Sequence, residues 1–232
     1  MHAAALIGHV NVIRVLAELG ADVSSTSYDH YTPVFVATEK GHVDVIRVLV
    51  ELGVDVNTPD INGCNPMHAA ALIGHVNVIK VLAELGADVC LPDDNCCTPV
   101  VIAALIGHMN AIRALAELGA DVNTPANDGC TPVVVAAQYY HLYAIRALAD
   151  LGANVYTPDN DGFTPIFVAA LIGHVNAIQV LTELGADICI PDYNGDDHIV
   201  GSDMKPDMHW FIGKLAQDHN HMELLQFTGT VN

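Results

Sequence analysis

Every 33 residues the chain returns to a Pro preceded by Thr or Asn: Thr32-Pro33, Asn65-Pro66, Thr98-Pro99, Thr131-Pro132 and Thr164-Pro165. Gly20, Gly53, Gly86, Gly119, Gly152 and Gly185 form a second column with the same spacing, and Gly-His pairs begin at residues 8, 41, 74, 107 and 173. Three columns that hold one period without a slip require a tandem array, in which each unit is one supersecondary element packed on its neighbours. Residues 1–23 and 67–89 differ only at Arg14 against Lys80, the mark of internal duplication.

Each unit reads as two short helices. Thr or Asn before Pro supplies an N-cap, and Pro at the first helical position brings the helical φ while needing no intrahelical donor. In the third unit this starts a helix at Pro66 that runs to Ile73 and stops at Gly74, which is free to turn left-handed. His75 opens the second helix, with Val78, Ile79, Leu82 and Leu85 on one face and Lys80 and Glu84 on the other, until Gly86 ends it. The stretch from there to the next Pro is a turn rich in Asp, Asn, Gly and Pro, predicted to project as a hairpin-like finger. Helices of about ten residues are marginal alone. The units must therefore stack, giving an all-α solenoid of helix-turn-helix repeats whose stability is close to a sum of unit and nearest-neighbour interactions.

Charge narrows the function classes. The chain has 27 Asp plus Glu against 8 Lys plus Arg, a formal net charge of -19. Phosphate backbones and anionic membrane surfaces are held by Lys and Arg, so nucleic acid and membrane are excluded as partners and a protein with an apolar or basic segment is favoured. Apolar runs such as Val100 to Ile106 fall far short of the roughly 18 residues that span a bilayer. The segment Met1 to Ile7 lacks a basic flank and a cleavage site and recurs at Met67 to Ile73, which makes it structure and not a signal peptide. Cys64, Cys90, Cys96, Cys97, Cys130 and Cys189 show no Cys-x-x-Cys spacing and no secreted disulfide density, which points to a reducing compartment, the cytoplasm or nucleus. Cys64, Cys97 and Cys130 share one finger position; a disulfide needs Cα atoms within about 7 Å, so free thiols are expected there.

The run Asp159-Asn160-Asp161-Gly162-Phe163-Thr164-Pro165, then Ala169-Ala170-Leu171-Ile172-Gly173-His174 and Leu184-Gly185-Ala186-Asp187, resembles the ankyrin repeat, and the resemblance extends over residues 1–193. It implies a monomeric protein-interaction scaffold that needs no cofactor, binding through a concave surface of fingers and first helices. In such repeats the two residues before the inter-helix Gly face the groove. Here they are Leu6-Ile7, Leu72-Ile73, Leu105-Ile106 and Leu171-Ile172, against Glu39-Lys40 and Gln138-Tyr139 in the two divergent units. An apolar strip rimmed by acids marks an interaction site; the competing explanation is that duplication simply copied it. Specificity is expected from the divergent units, with Tyr28, Asp29, Tyr31, Glu39 and Lys40 in one and Gln138, Tyr139, Tyr140 and Tyr143 in the other, and from Phe163 on a finger. Tyr140 stands where other units have the turn Gly.

No enzyme motif is present: there is no Gly-x-Ser-x-Gly, phosphate-binding glycine loop, His-Glu-x-x-His or dinucleotide fingerprint. The Gly-His histidines are expected to tie down an adjacent loop by a backbone hydrogen bond, because packed helices stand about 8 to 10 Å apart, too far to share one zinc. His209, His219 and His221 form a less regular group. Glu18, Glu51, Glu84, Glu117, Asp150 and Glu183 recur near the ends of the second helices, mostly four residues after Arg or Lys, and read as ion pairs along each helix. The fingertip acids Asp29, Asp60, Asp93, Asp94, Asp128, Asp159 and Asp161 would rim the groove, although turn geometry by itself explains most of that pattern.

The ends depart from the pattern. Met1 aligns with Met67, so the first unit lacks its Thr-Pro cap and finger, and should fray and leave an apolar stacking face open. That favours a rival reading in which the array is a targeting segment of a larger enzyme, channel or ubiquitin-ligase adaptor. After Asp192 the pattern lapses, and residues 194–232 read as a loop followed by a capping helix pair over Met208 to Asp218 and His221 to Phe227, with Trp210, Phe211 and Leu215 inward. Asn57 and Asn123 resemble ankyrin asparagines modified by an oxygen-dependent hydroxylase.

Overall fold

The computed structural model describes residues 1–186 and the backbone of 189–191 and 197–199. It divides into a unit of Met1–His198 and a unit of Ile199–Asn232. The expected C-terminal helix pair and His209, His219 and His221 lie outside the described residues.

Six helix pairs follow one another: α1 His2–Ile7 with α2 Val10–Glu18, α3 Pro33–Glu39 with α4 Val43–Glu51, α5 Pro66–Ile73 with α6 Val76–Glu84, α7 Pro99–Ile106 with α8 Met109–Glu117, α9 Pro132–Gln138 with α10 Leu142–Asp150, and α11 Pro165–Ile172 with α12 Val175–Glu183. Each first helix packs on the first helices before and after it, and each second helix does the same, so the unit has an inner and an outer helix layer. Beyond α12, β1 (Cys189–Pro191) pairs with β2 (Asp197–Ile199).

The caps are those the Thr-Pro column requires. Thr32 Oγ1 accepts from Phe35 N at 3.2 Å, Thr131 from Val134 N at 3.4 Å and Thr164 from Phe167 N at 3.3 Å, while Asn65 Oδ1 accepts from Met67 N and His68 N at 2.9 and 3.2 Å. Thr98 caps α7 without such a bond, and its buried hydroxyl has no partner. At the other end of the first helix, Gly107 has φ +80, and a Cβ there would meet His141 Nδ1 at 2.4 Å. Handedness and the ring of the next repeat both demand glycine at that point.

The core lies between the layers. Ile13, Ile46, Ile79, Ile112 and Ile145, with Leu49, Leu82, Leu115, Leu148 and Leu181, are fully buried on the outer helices. They meet a column of buried alanines, Ala4, Ala37, Ala70, Ala103, Ala136 and Ala169. Small residues let the two layers approach, and each large-to-small change in the isoleucine or leucine columns costs about 2 to 5 kcal/mol.

Polar contacts then join repeat to repeat. His42, His108, His141 and His174 donate from Nε2 to the carbonyls of Leu6, Leu72, Leu105 and Gln138 at 2.9 to 3.1 Å, each reaching the end of the preceding first helix. The ion pairs differ from the expected arrangement along single helices. Arg14–Glu51, Arg47–Glu84, Lys80–Glu117, Arg113–Asp150 and Arg146–Glu183 each span two repeats. They cross-link neighbouring outer helices because an acid four places along in the next repeat lies closer to the basic side chain than the acid on its own helix. Exposed pairs of this kind contribute at most about 1 kcal/mol each.

Tyr140 does adopt the left-handed conformation, with φ +63. Its ring lies against His174 with centroids 4.9 Å apart, and its hydroxyl accepts from Asn176 Nδ2 at 2.6 Å. The side chain is thus a strut between the fifth and sixth repeats. Tyr140→Ala keeps the strained φ and removes the strut, whereas Tyr140→Gly removes both; the Ala variant should be the less stable of the two by about 1 kcal/mol in denaturant unfolding.

His68 on α5, like His2 on α1, stands in a column that is Phe or Val in the other repeats. Its Nδ1 takes the Asn65 N–H at 3.2 Å and lies 2.9 Å from Asn65 Oδ1, while Nε2 donates to the Cys97 carbonyl at 3.0 Å. Burial lowers its pKa below the ordinary 6.5, against the opposing effects of the Cys97 carbonyl and of Asp93 and Asp60. The unfolded ring therefore takes up its proton first, so the contribution of this site is full above about pH 6.5 and is lost as the pH falls through the interval below it. The midpoint of the His68 ring resonances in an NMR titration should lie below that value, and the stability of the wild type relative to His68→Gln should drop between about pH 7.5 and about pH 5.5.

Candidate partner-binding face

The first helices are apolar on nearly every face: α7 reads Pro-Val-Val-Ile-Ala-Ala-Leu-Ile. A helix with no polar side needs cover all round, and the outer layer covers only one side. On the other side Val101, Cys130, Val134, Val135 and Val168 form a second buried apolar cluster, separate from the main core, against which Cys97, Leu105, Tyr139 and Phe163 pack half-buried. This cluster joins the finger ends to the groove ends of the first helices in the fourth to sixth repeats.

Three of the residues expected at the groove, Leu105, Tyr139 and Phe163, are therefore brought together. Leu72 packs against the main core instead. The Leu-Ile pairs differ in openness: Leu6 and Ile7 are 46% and 60% exposed, Ile73 and Ile172 are 38% and 36% exposed, and Leu72, Leu105, Ile106 and Leu171 are half-buried. Gln138 is half-buried, and Tyr143 projects from the outer layer at 76% exposure. The valines under Tyr139 were not singled out from sequence, although a first helix without a polar face was the signal for them.

Each finger closes on itself. Asp60 N donates to Cys64 O at 2.8 Å, and Asp60 Oδ1 accepts from Asn62 N and Cys64 N at 2.8 and 2.9 Å. Asp93 and Asp159 repeat that pattern. Asp60 and Asp93 are buried and bound to their own turns, which corrects the expectation that they rim the groove; Asp29 and Asp94 are exposed there, and Asp128 and Asp161 half-exposed. Successive fingers are joined by Asp94 N to Asn62 O, Asn127 N to Asn95 O and Asn160 N to Asp128 O, at 2.9 to 3.1 Å.

In the second repeat Tyr31 stacks on Phe35, with centroids 4.6 Å apart and planes at 14°. Phe163 and Phe167 make the same stack in the sixth, at 4.9 Å and 8°. Cys64, Cys97 and Cys130 occupy the column between, so the floor is low there and aromatic at both ends. Burial, then Asp60, Glu39 and Asp29, raise the pKa of the Tyr31 hydroxyl, and burial raises that of Glu39 while neighbouring Lys40 lowers it. Lys40 is exposed, and Tyr28 at 97% exposure stands at the fingertip.

Cys64 Sγ lies 3.8 Å from Asp93 Oδ2 and Cys130 Sγ 4.0 Å from Asp159 Oδ2. Burial, with Asp60 and Asp93, drives the Cys64 pKa far up, so it remains a thiol and not a nucleophilic thiolate. Cys64, Cys90 and Cys96 are free, and Cys96 takes φ +58 in the column where the second repeat has His30 at φ +61 and the others have Gly. Among the described residues no group of three His, Cys, Asp or Glu is placed to hold a metal. Asn57 Oδ1 accepts from Asp88 N at 2.9 Å and Asn123 Oδ1 from Asn154 N at 2.7 Å, so each amide holds the loop of the next repeat. Among the described residues no helix is long and apolar enough to cross a membrane.

Two family models match the chain, one for ankyrin repeats in three copies over residues 101–192 and one for ankyrin repeats in many copies over residues 1–50 and 34–83. A comparison with curated proteins finds no match. The matched segments cover well over half of the chain and coincide with the stacked helix pairs: the protein belongs to the ankyrin-repeat family.

Proposed function

We propose that this protein is a monomeric scaffold that binds another protein through the groove between its fingers and first helices, without catalysis. The observation that carries the reading is the second apolar cluster on the groove side of the inner layer, only half covered by Leu105, Tyr139 and Phe163. Leu72, Ile73, Ile106, Leu171 and Ile172 extend the apolar strip to either side, and Tyr28, Tyr31, Glu39, Lys40 and Gln138 supply the residues that differ from repeat to repeat. Half-covered aromatic and aliphatic side chains surrounded by polar turns are the usual composition of a binding hot spot. Excess acid on the chain favours a partner segment that is apolar or basic. The free thiols of Cys64, Cys90 and Cys96 fit a reducing compartment, and we place the protein in the cytoplasm or nucleus.

Affinity capture from cells with wild-type protein identifies the partner. Tyr139→Ala should then weaken binding about tenfold, in line with loss of one aromatic anchor, with thermal stability retained. Tyr143→Ala, on the outer layer, should bind as the wild type. Equal affinity of the Tyr139 variant and wild type rejects the groove.

A further inference from the structure

The groove has two unlike ends. In the fourth to sixth repeats its floor is valine, cysteine, Leu105, Tyr139 and Phe163. In the second repeat it is the Tyr31–Phe35 stack, where burial and then the negative charges of Asp60, Glu39 and Asp29 raise the pKa of the Tyr31 hydroxyl. The equivalent stack in the sixth repeat, Phe163 on Phe167, has an amide-free and acid-free residue pair, Leu171-Ile172, where the second repeat has Glu39-Lys40.

The cations of the array lie elsewhere. Arg14, Arg47, Lys80, Arg113 and Arg146 are held in the ladder on the outer layer, leaving Lys40 as the one Lys or Arg on the groove side among the described residues. Lys40 follows Glu39 directly, and adjacent helix residues point apart; it is exposed while Glu39 is half-buried. Glu39 thus loses part of its hydration between the apolar pairs of the first and third repeats, and Lys40 only partly offsets that. A cation beside Glu39 and over the face of the Tyr31 ring turned away from Phe35 would restore the balance, with ring face and carboxylate acting together.

We propose that the groove reads a bipartite segment of a protein partner, in which a Lys or Arg side chain enters the acid-flanked Tyr31–Phe35 site and an apolar side chain, several residues away, seats on Leu105 and Tyr139. This rests on the groove being the binding face. Adjacent packed helices stand about 8 to 10 Å apart, so the two sites are separated by two to three repeats, roughly 16 to 30 Å. An extended chain advances about 3.3 Å per residue, which sets the basic and apolar residues about five to nine positions apart.

Selection of a random 16-residue peptide library displayed on phage against the full chain tests this directly. Enriched peptides should carry a Lys or Arg at that spacing from a large apolar residue. Replacing the basic residue of an enriched peptide by Gln should weaken it about tenfold against the wild type, and much less against a chain carrying both Asp29→Asn and Glu39→Gln. Tyr139→Ala should weaken both peptides alike. Circular dichroism of the variants confirms that the helices are retained. Enrichment of apolar peptides with no basic preference, sensitive to Tyr139→Ala, overturns the bipartite proposal and leaves the groove standing. Enrichment insensitive to Tyr139→Ala, or none at all, overturns both.

Discussion

None of the helices among the described residues is long enough to hold its shape in water, and none has to. Six to nine residues cannot overcome the cost of helix nucleation, so the free energy of folding comes from surfaces between repeats. The alanine column makes that possible. With Ala4, Ala37, Ala70, Ala103, Ala136 and Ala169 on the inner layer, the outer layer can come close enough for one Ile and one Leu in each of the second to fifth repeats to be wholly buried. Where the column beside it carries Thr38 in place of Ala, a buried hydroxyl is left without a partner. Everything else, the caps, the histidine bonds and the ion-pair ladder, sets the register of surfaces that alanine has already brought together.

That dependence explains what could be read from sequence and what could not. Helix starts and stops were legible because Thr-Pro and Gly act locally, through one cap and one left-handed residue. The ion-pair partners were not. Arg14 has Glu18 four residues ahead and Glu51 thirty-seven ahead, and in a strictly periodic sequence these are the same column. Spacing cannot separate them; only the packing of α2 on α4 does. The fingertip acids divide for a related reason, since Asp is favoured both by a tight turn and by an exposed rim: at Asp60 and Asp93 the turn takes it, while Asp29 and Asp94 are exposed. The left-handed Tyr140 was legible from the missing Gly. Its partner Asn176 was not, because Asn stands at that position in the first, third, fourth and sixth repeats.

The groove was partly legible. The Leu-Ile pairs and the divergent residues were found as columns and as breaks in columns, and Tyr139 and Phe163 do belong to one cluster with Leu105. What escaped was the floor beneath them. Val101 and Val134 look like core residues in sequence, and they are buried, but on the side of the first helix away from the main core. A one-dimensional pattern counts apolar positions around a helix without telling which of two opposite faces the rest of the protein covers.

Duplication makes most units alike, so information about a partner has to sit where units differ, and each difference carries a physical cost that must be balanced somewhere. At Tyr140 the balance is internal: the strained φ is offset by the His174 contact and the Asn176 bond, which makes the residue a structural strut. At Glu39 it is not. Leu occupies that position in four of the other repeats, and the acid that replaces it is half-buried, with its pKa raised by burial and only an exposed neighbouring lysine acting against that. A substitution whose cost the fold does not recover is retained when something outside the fold recovers it, and the groove side of the second repeat is where an external cation would do so.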